Sequence, residues 1–202
     1  MKLKVYGDIL SGNCYKIKLL LEFLGLSYEW VPTNVLRAET HTDEFVAMNP
    51  NAKIPVLLID DSKYLWESNA ILNYLAEGSP FLPTEKYSKA LVLQWQFFEQ
   101  YSHEPYIAVA RYLKLFLGLP AERVSEYEGK HEGGYKALAV MENHLKKSKF
   151  FVGEQLTIAD ISLYAYTHVA DEGGFSLDAY PNVIRWLKDF AASKNYVPMR
   201  TS

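Results

Sequence analysis

The sequence predicts an α/β domain followed by an all-helical domain, with the change near residue 80. Two observations lead to this prediction. Alternating and helical apolar periodicities succeed one another through residue 77, whereas no strand pattern follows that point. Between the two parts, residues 78–87 (GSPFLPTEKY) are rich in turn formers and indicate a linker. The expected domains are therefore residues 1–77 and residues 88–202, a division that suits a chain of 202 residues.

The first half of the α/β domain shows a strand, a helix and a second strand. Polar and apolar residues alternate over 2–6, which predicts a half-buried strand. After a loop at 7–12, a helix is expected to end at Gly25 and to bury a stripe at i, i+3, i+4 and i+7, namely Ile17, Leu20, Leu21 and Leu24. A second strand is expected over 27–31.

The second half of this domain predicts a short helix, a hairpin and a closing helix. Thr42 can cap a helix that ends before Asn49-Pro50. Two apolar runs, 55–59 and 64–66, flank a polar turn and indicate a hairpin. Ser68 is a suitable N-cap for the last helix, which ends before Gly78. This order of elements is that of a thioredoxin-like sheet.

The C-terminal domain is predicted to contain helices only. Residues 88–117 form a long helical segment in which Pro105 should cause a kink. A second segment spans 121–149 and is weakened by interior glycines. Residues 157–160 (TIAD) have the spacing of a capping box ahead of another helix, and the last helix begins at Pro181.

Composition limits the class of protein. With 49% hydrophobic and 14% aromatic residues the chain can bury a core, and its net charge of −3 does not favour a nucleic-acid partner.

The single cysteine, Cys14, excludes an internal disulfide and fits a reducing compartment. No signal-peptide pattern or long apolar run is present, so we expect a soluble cytoplasmic protein without a membrane partner. The five histidines lack ligand-like spacing, and no metal is expected.

Residues 53–57 (KIPVL) are the stretch around which a site is most simply built. Proline cannot donate to a sheet ladder, so Pro55 belongs at the first position of a strand. If the Ile54–Pro55 bond is cis, the backbone N–H and C=O of Ile54 face outward. Such an edge can pair with an extended peptide as an added strand does.

Ser11 lies where the first loop meets the first helix. A helix N-terminus favours an anion, and a serine hydroxyl there can donate a hydrogen bond to the thiolate of a bound ligand. Lowering a thiol pKa by two units takes about 2.7 kcal/mol, and one hydrogen bond to a charged group supplies about 1.5–3 kcal/mol. No base lies at short range, so Ser11 is not expected to act as a nucleophile. The alternative is that Ser11 only caps the helix.

Other polar residues allow a functional and an ordinary interpretation. Cys14 would hold the resolving position of a C-x-x-C motif whose first residue is serine, or it is inert and buried. Glu67 and Ser68 can receive an ammonium and a carboxylate, or they cap a helix. His41 and Lys53 can hold a second carboxylate, or they are surface residues. Together these residues fit one extended thiol peptide that carries two carboxylates.

Several of these segments resemble the cytosolic glutathione transferases. The pair formed by 49–57 (NPNAKIPVL) and 66–75 (WESNAILNYL) is similar to the glutathione-binding segments of that family. Residues 8–11 (DILS) resemble the serine loop of its theta-like members, both bacterial and eukaryotic. Residues 151–160 (FVGEQLTIAD) resemble the capping-box motif of its helical domain. The likeness covers the whole chain.

The resemblance implies the glutathione transferase fold, a homodimer, and glutathione as co-substrate with a small electrophile. It implies that the Ser11 hydroxyl hydrogen-bonds the glutathione thiolate. It also implies the following glutathione-binding residues: Ile54 beside Pro55 for the cysteinyl part, Glu67 and Ser68 for the γ-glutamyl end, and His41 and Lys53 for the glycyl carboxylate. The electrophile is expected between the loop Ile9–Gly12 and the long helix, near Tyr101, His103, Tyr106 and Arg111.

Three residues near Ser11 keep alternatives open. Gly12 stands where many serine-type members have proline. Asn13 resembles the asparagine of a bacterial subgroup that acts on disulfides, so a glutathione-dependent disulfide or peroxide reductase is the first alternative. Tyr6 lies near the position from which a tyrosine acts in other classes. A glutathione-binding protein without turnover is the remaining alternative.

Overall fold

The computed structural model of the chain describes residues 2–200. It divides into two compact units, which are considered separately. The first unit runs to Ser79 and also includes the C-terminal segment that begins at Lys194, and the second unit is Pro80–Ser193.

The first unit is built on a four-stranded mixed sheet. Its strands are β1 (Leu3–Gly7), β2 (Glu29–Pro32), β3 (Val56–Ile59) and β4 (Lys63–Trp66), in the order β2-β1-β3-β4. Strand β1 pairs in parallel with β2 and antiparallel with β3, and β3 pairs antiparallel with β4. This arrangement confirms the thioredoxin-like fold that the order of elements predicted.

Three helices accompany this sheet: α1 (Gly12–Leu24), α2 (Asp43–Met48) and α3 (Ser68–Ala76). Helix α1 ends at Gly25, whose φ of 64° is the left-handed conformation that glycine adopts at little cost. Thr42 caps α2 as predicted. The predicted cap of α3 was wrong by one residue, since Glu67 occupies the cap position and Ser68 is the first helical residue.

The C-terminal segment belongs to the first unit, whereas the sequence assigned it to the helical domain. The Tyr15 hydroxyl donates to the Val197 carbonyl at 2.7 Å, and Lys18 Nζ donates to the Pro198 carbonyl at 3.4 Å. These bonds join residues about 180 positions apart. No local pattern in the sequence could indicate them.

The second unit is helical throughout its regular elements. The helices are α4 (Lys86–Phe98), α5 (Glu104–Arg111), α6 (Val124–Leu145), α7 (Ile158–Thr167) and α8 (Pro181–Ala191). Helix α4 begins inside the predicted linker because the Glu85 carboxylate caps it, accepting from the backbone N–H groups of Tyr87 and Ser88.

The long helical segment is interrupted by two π-helical turns, Glu99–His103 and Tyr112–Phe116. Pro105 lies in the first turn of α5, where a missing N–H is tolerated. The irregularity expected at Pro105 therefore lies in the π-helical turn before it.

The capping box at the start of α7 is present as predicted. The Asp160 carboxylate is fully buried and accepts from the backbone N–H groups of Thr157 (2.9 Å) and Phe151 (3.0 Å). It also accepts from Trp186 Nε1 at 3.0 Å. Burial raises the pKa of Asp160 to about 6. This carboxylate ties α7 to α8 and to the loop before α7.

Candidate functional site

The candidate site begins with Ser11, which is the N-cap of α1. Its Oγ accepts from the Cys14 backbone N–H at 3.4 Å, a long hydrogen bond. The loop before it is held by the Asp8 carbonyl, which accepts from the Ser11 N–H at 3.1 Å. No acidic residue lies in the first turn of α1. The Ser11 side chain is also hydrogen-bonded to the Cys14 thiol. It lies at the positive end of the helix, which is suited to an incoming anion.

Cys14 is inaccessible to a ligand in this structure. Its side chain has no exposed surface, and burial raises the pKa of the thiol to about 12. The sulfur lies directly against Gly7, where an added Cβ would stand 2.7 Å from Sγ. The structural interpretation of Cys14 is supported, and glycine at position 7 is explained by this close approach.

The second part of the site is the turn before β3, where the Ile54–Pro55 peptide bond is cis as the sequence suggested. Within residues 2–200, the backbone N–H and C=O of Ile54 have no hydrogen-bond partner. The Asn49 side chain supports the turn by donating to the Lys53 carbonyl at 2.7 Å. The edge at Ile54 is therefore open to an extended peptide.

Glu67 and Ser68 form the third part of the site. Glu67 is exposed and has a φ of 69°, which is unusual for a residue other than glycine and costs free energy. Ser68 is almost buried; its hydroxyl donates to Asn13 Oδ1 at 3.1 Å and accepts from Lys16 Nζ at 3.4 Å. The start of α3 is thereby connected to the first turns of α1.

Sequence reasoning missed Lys16. Its side chain is fully buried, in helical register with Leu19, Leu20 and Phe23 on the core face of α1. The signal was available, since a lysine in an apolar stripe is unusual.

His41 and Lys53 are both exposed, so their side chains are accessible to a carboxylate. Tyr6 is half-buried and packs with Ile54 against the apolar cluster of Phe45, Met48 and Val56. Burial raises the pKa of its phenol.

The residues expected to contact the electrophile differ in their surroundings. His103 is fully buried, with Nε2 at 2.9 Å from Thr167 Oγ1, and Arg111 is 2% exposed and paired with Glu172 at 2.5 Å. The sequence therefore placed two interior side chains of the helical unit at a substrate site, because helical spacing does not show which face is buried. Tyr101 is 86% exposed, and Ile9 is 43% exposed.

Tyr106 and Gly12 complete the predicted set. The Tyr106 ring lies against Gly133 so closely that a Cβ there would overlap it. Gly133 is thus a packing position, whereas the sequence suggested only a weak point in the helix. Gly12 is buried and is the first residue of α1.

A groove of about 490 Å³ on the first unit adjoins the loop that precedes Ser11. Ile9 and Asp8 form one part of its wall, and Trp30 and Arg37 form another. It joins an apolar surface to an exposed guanidinium. Of these four residues, only Ile9 was predicted from the sequence to contact the electrophile.

Among residues 2–200, no helix is both long and apolar enough to cross a membrane. The same residues contain no group of three or more histidine, cysteine, aspartate or glutamate side chains arranged to hold a metal ion.

The fold and this set of side chains define a protein with a thioredoxin-like half and a helical half. Residues 1–77 match the family described as "Glutathione S-transferase, N-terminal domain", and residues 106–194 match "Glutathione S-transferase, C-terminal domain". The chain is 31% identical to glutathione S-transferase D7 of Drosophila melanogaster over 192 residues, covering 93% of this chain and 83% of the relative. The chain belongs to the glutathione S-transferase family.

Solved structures agree with this assignment. A glutathione S-transferase from Pseudomonas fluorescens Pf-5 is 59% identical, with a TM-score of 0.96 and 98% of each chain covered. A glutathione transferase from Burkholderia graminis, with two glutathione molecules bound per subunit, is 26% identical, with a TM-score of 0.84, covering 96% of this chain and 85% of that one.

Another relative is considerably longer. Protein URE2 of Eremothecium gossypii is 29% identical over an alignment of 219 positions, gaps included, which covers 88% of this chain. The chain spans 62% of the length of that protein.

Proposed function

We propose that this protein is a glutathione transferase that binds glutathione, stabilises its thiolate with the Ser11 hydroxyl and promotes its attack on a small hydrophobic electrophile. One observation carries the proposal. The first unit presents an N-cap hydroxyl at Ser11 together with an unpaired backbone edge at Ile54, beside the cis bond to Pro55. These are the two features that an extended thiol peptide requires.

Each part of glutathione has a complementary group in this proposal. The cysteinyl backbone pairs with the N–H and C=O of Ile54. The γ-glutamyl ammonium meets the exposed Glu67 carboxylate, and the γ-glutamyl carboxylate meets Ser68 at the N-terminus of α3. The glycyl carboxylate meets the exposed side chains of His41 and Lys53.

The proposed chemical step begins with ionisation of the glutathione thiol beside Ser11. The thiol loses its proton to solvent, and the Ser11 hydroxyl donates to the resulting thiolate. A hydrogen bond to a charged group is worth about 1.5–3 kcal/mol, so one such bond lowers the thiol pKa by about one to two units. The thiolate then attacks an electrophilic carbon, forming a C–S bond while the leaving group departs with its electron pair. The groove beside Ile9 adjoins the loop that precedes Ser11, and in this proposal its apolar surface receives the electrophile.

The test combines binding with thiol titration. Calorimetry should show glutathione binding, and the bound thiol, followed by its ultraviolet absorbance, should titrate below the free thiol. Ser11→Ala should remove most of that lowering, and Ser11→Thr, which keeps a hydroxyl, should retain it. The proposal fails if glutathione does not bind at millimolar concentration, or if the bound thiol has an ordinary pKa.

A glutathione-dependent disulfide reductase is the second candidate. Asn13 lies in the site, hydrogen-bonded to Ser68, and the Burkholderia relative binds two glutathiones per subunit. In that reaction one glutathione thiolate attacks the substrate disulfide and expels a thiolate. The second glutathione then resolves the mixed disulfide. Two glutathiones per subunit, fast reduction of a small disulfide and negligible aryl-halide conjugation would favour this candidate.

A binding protein without turnover is the third candidate. It is motivated by a relative whose name is that of a regulator and not of an enzyme, transcriptional regulator URE2 of Saccharomyces cerevisiae, which is 27% identical to this chain. It predicts glutathione affinity in calorimetry together with no reaction on a panel of aryl halides, epoxides and disulfides. Turnover of any of these that depends on Ser11 excludes it.

We also propose that the protein is a homodimer in the cytoplasm. Three apolar side chains follow one another at i, i+4 and i+8 along α4 and the next turn, and all are exposed: Leu93, Phe97 and Tyr101. The first unit also has exposed aromatic side chains, at Tyr64, Trp66 and Tyr74. Exposed apolar patches of this kind mark protein interfaces.

Light scattering after gel filtration tests the dimer. The wild type should have twice the mass of one chain, and Phe97→Glu should shift it toward one chain at micromolar concentration. Val140→Glu, at another exposed apolar residue outside the stripe, is the matched control. A monomeric wild type contradicts this proposal.

A further inference from the structure

Lys16 has an environment that an ordinary surface lysine does not have. Its side chain has no exposed surface and lies on the core face of α1 beside Leu19, Leu20 and Phe23. Lysine is almost never fully buried unless it is paired, because removing an ammonium from water is costly. A fully buried lysine therefore indicates a role in holding another group.

One group that it holds is the hydroxyl at the start of α3. Lys16 Nζ donates to Ser68 Oγ at 3.4 Å, and the Ser68 hydroxyl donates in turn to Asn13 Oδ1 at 3.1 Å. All three residues belong to the first unit. The ammonium lies on the inner side of Ser68, at the end of α3 where the backbone N–H groups point outward.

We propose that Lys16 is a positioning residue for the carboxylate of an α-amino-acid ligand at Ser68, which in the proposed function is the γ-glutamyl carboxylate of glutathione. The inference rests on that function. The ammonium adds a full positive charge to the partial charge of the α3 N-terminus. By donating to Ser68 Oγ, it also fixes the oxygen while leaving the hydroxyl hydrogen able to turn.

Binding then requires one local rearrangement. The Ser68 hydrogen turns from Asn13 to the incoming carboxylate, while Lys16 continues to donate to the same oxygen. A hydroxyl that accepts from a cation is a stronger donor, because hydrogen bonds in a chain polarise one another. Lys16 is accordingly expected to affect ligands that carry this carboxylate and to have little effect on ligands that lack it.

The experiment compares two ligands and matched lysine variants. The ligands are glutathione and γ-aminobutyryl-cysteinyl-glycine, which keeps the amine and lacks the carboxylate. Lys16→Met removes the charge and suits a buried site, and Lys16→Gln removes the charge while keeping an N–H donor. Lys18→Met is the control: the same charge is lost from the same helix, at a half-buried residue that contacts the Pro198 carbonyl. Dissociation constants are measured by calorimetry at low salt.

Lys16→Met should weaken glutathione binding by about tenfold to a hundredfold, the loss expected for a hydrogen bond to a charged group. The same variant should change the affinity for the decarboxylated ligand by less than about threefold, which is the typical context-dependent scatter of such contacts. Lys18→Met should leave both constants near the wild type. A purely structural role for Lys16 would weaken both ligands equally, and that result overturns the inference.

Thermal unfolding identifies a variant that does not fold, and Lys16→Gln decides the question if Lys16→Met unfolds. Equal affinities of the wild type and a folded Lys16 variant for glutathione overturn the inference alone. A wild type that binds no glutathione overturns the proposed function together with it.

Discussion

Helices α1 and α7 both begin with a hydroxyl cap, as α2 does at Thr42, and the caps of α1 and α7 differ in what they leave unsatisfied. At the start of α7, Thr157 is 3% exposed and its capping box is closed by the buried Asp160 carboxylate. At the start of α1, Ser11 is half-buried, its bond to the Cys14 N–H is 3.4 Å long, and no acidic residue is present in the first turn. The N-terminus of α7 contains its own anion, the Asp160 carboxylate, and the N-terminus of α1 contains none. This difference separates the structural cap at Thr157 from the cap at Ser11, which in the proposed function receives the glutathione thiolate.

The largest expected effect is at the cap of α7, which is formed by Thr157 and Asp160. Asp160→Ala should destabilise the protein by about 3 kcal/mol or more, because it leaves buried N–H donors of the backbone and of Trp186 without an acceptor. Urea unfolding measures this loss, and Asp160→Asn, which keeps one acceptor oxygen, should cost less. Glutathione affinity of folded protein should not change. A loss below about 1 kcal/mol would show that this cap is not the anchor of α7.

The same carboxylate predicts a pH dependence of stability. Its folded-state pKa is about 6, above the ordinary value of 3.8, so the folded protein holds a proton that the unfolded chain releases. Proton binding by Asp160 stabilises the folded protein by a total of about 3 kcal/mol. This stabilisation is fully present below about pH 4 and is lost as the pH rises through 6. Comparing wild type with Asp160→Asn between pH 4 and 7 isolates it. The difference in free energy of unfolding between the two proteins should vary with pH in this window. A difference that stays constant contradicts the prediction.

The intermediate effect is at the cap of α1, which is formed by Ser11. Ser11→Ala should raise the thiol pKa of bound glutathione by about one to two units, which corresponds to about 1.4–2.7 kcal/mol. It should reduce kcat/KM at neutral pH by about tenfold or more. The cost in stability should be about 1 kcal/mol or less, as for an N-cap.

Thr157→Ala is the matched control for Ser11→Ala. It also removes a cap hydroxyl, but at the end that Asp160 already closes. It should lower the free energy of unfolding and leave the thiol pKa of bound glutathione unchanged. If both variants changed that pKa alike, the distinction between the two caps would be lost.

Local features of the sequence predicted much of the fold and indicated some local features of the candidate site. The order of strands and helices, the cis proline turn, the cap at Ser11 and the capping box at Thr157 each depend on residues within a few positions of one another. Local propensity and hydrogen bonding within one turn determine such features.

The remaining features depend on contacts between distant residues. The bond from Lys16 to Ser68 joins positions 52 apart, and the bond from His103 to Thr167 joins positions 64 apart. Helical spacing showed that His103 and Arg111 lie on a helix without showing that both are buried. A single sequence does not show directly which helix faces pack together, so it could not indicate that these two residues are buried.

The smallest expected effect is at Cys14, which shares the first turn of α1 with Ser11. A thiol with a pKa of about 12 is almost entirely protonated at neutral pH, and its backbone N–H, which serves the Ser11 cap, survives substitution. Cys14→Ala should therefore leave conjugation and glutathione affinity within about threefold of the wild type, and lower stability by about 1 kcal/mol through the small cavity. Steady-state kinetics with an aryl halide and with a small disulfide measure this directly. A large loss of disulfide reduction alone would make Cys14 a reacting thiol, and the site would then need an opening that exposes it.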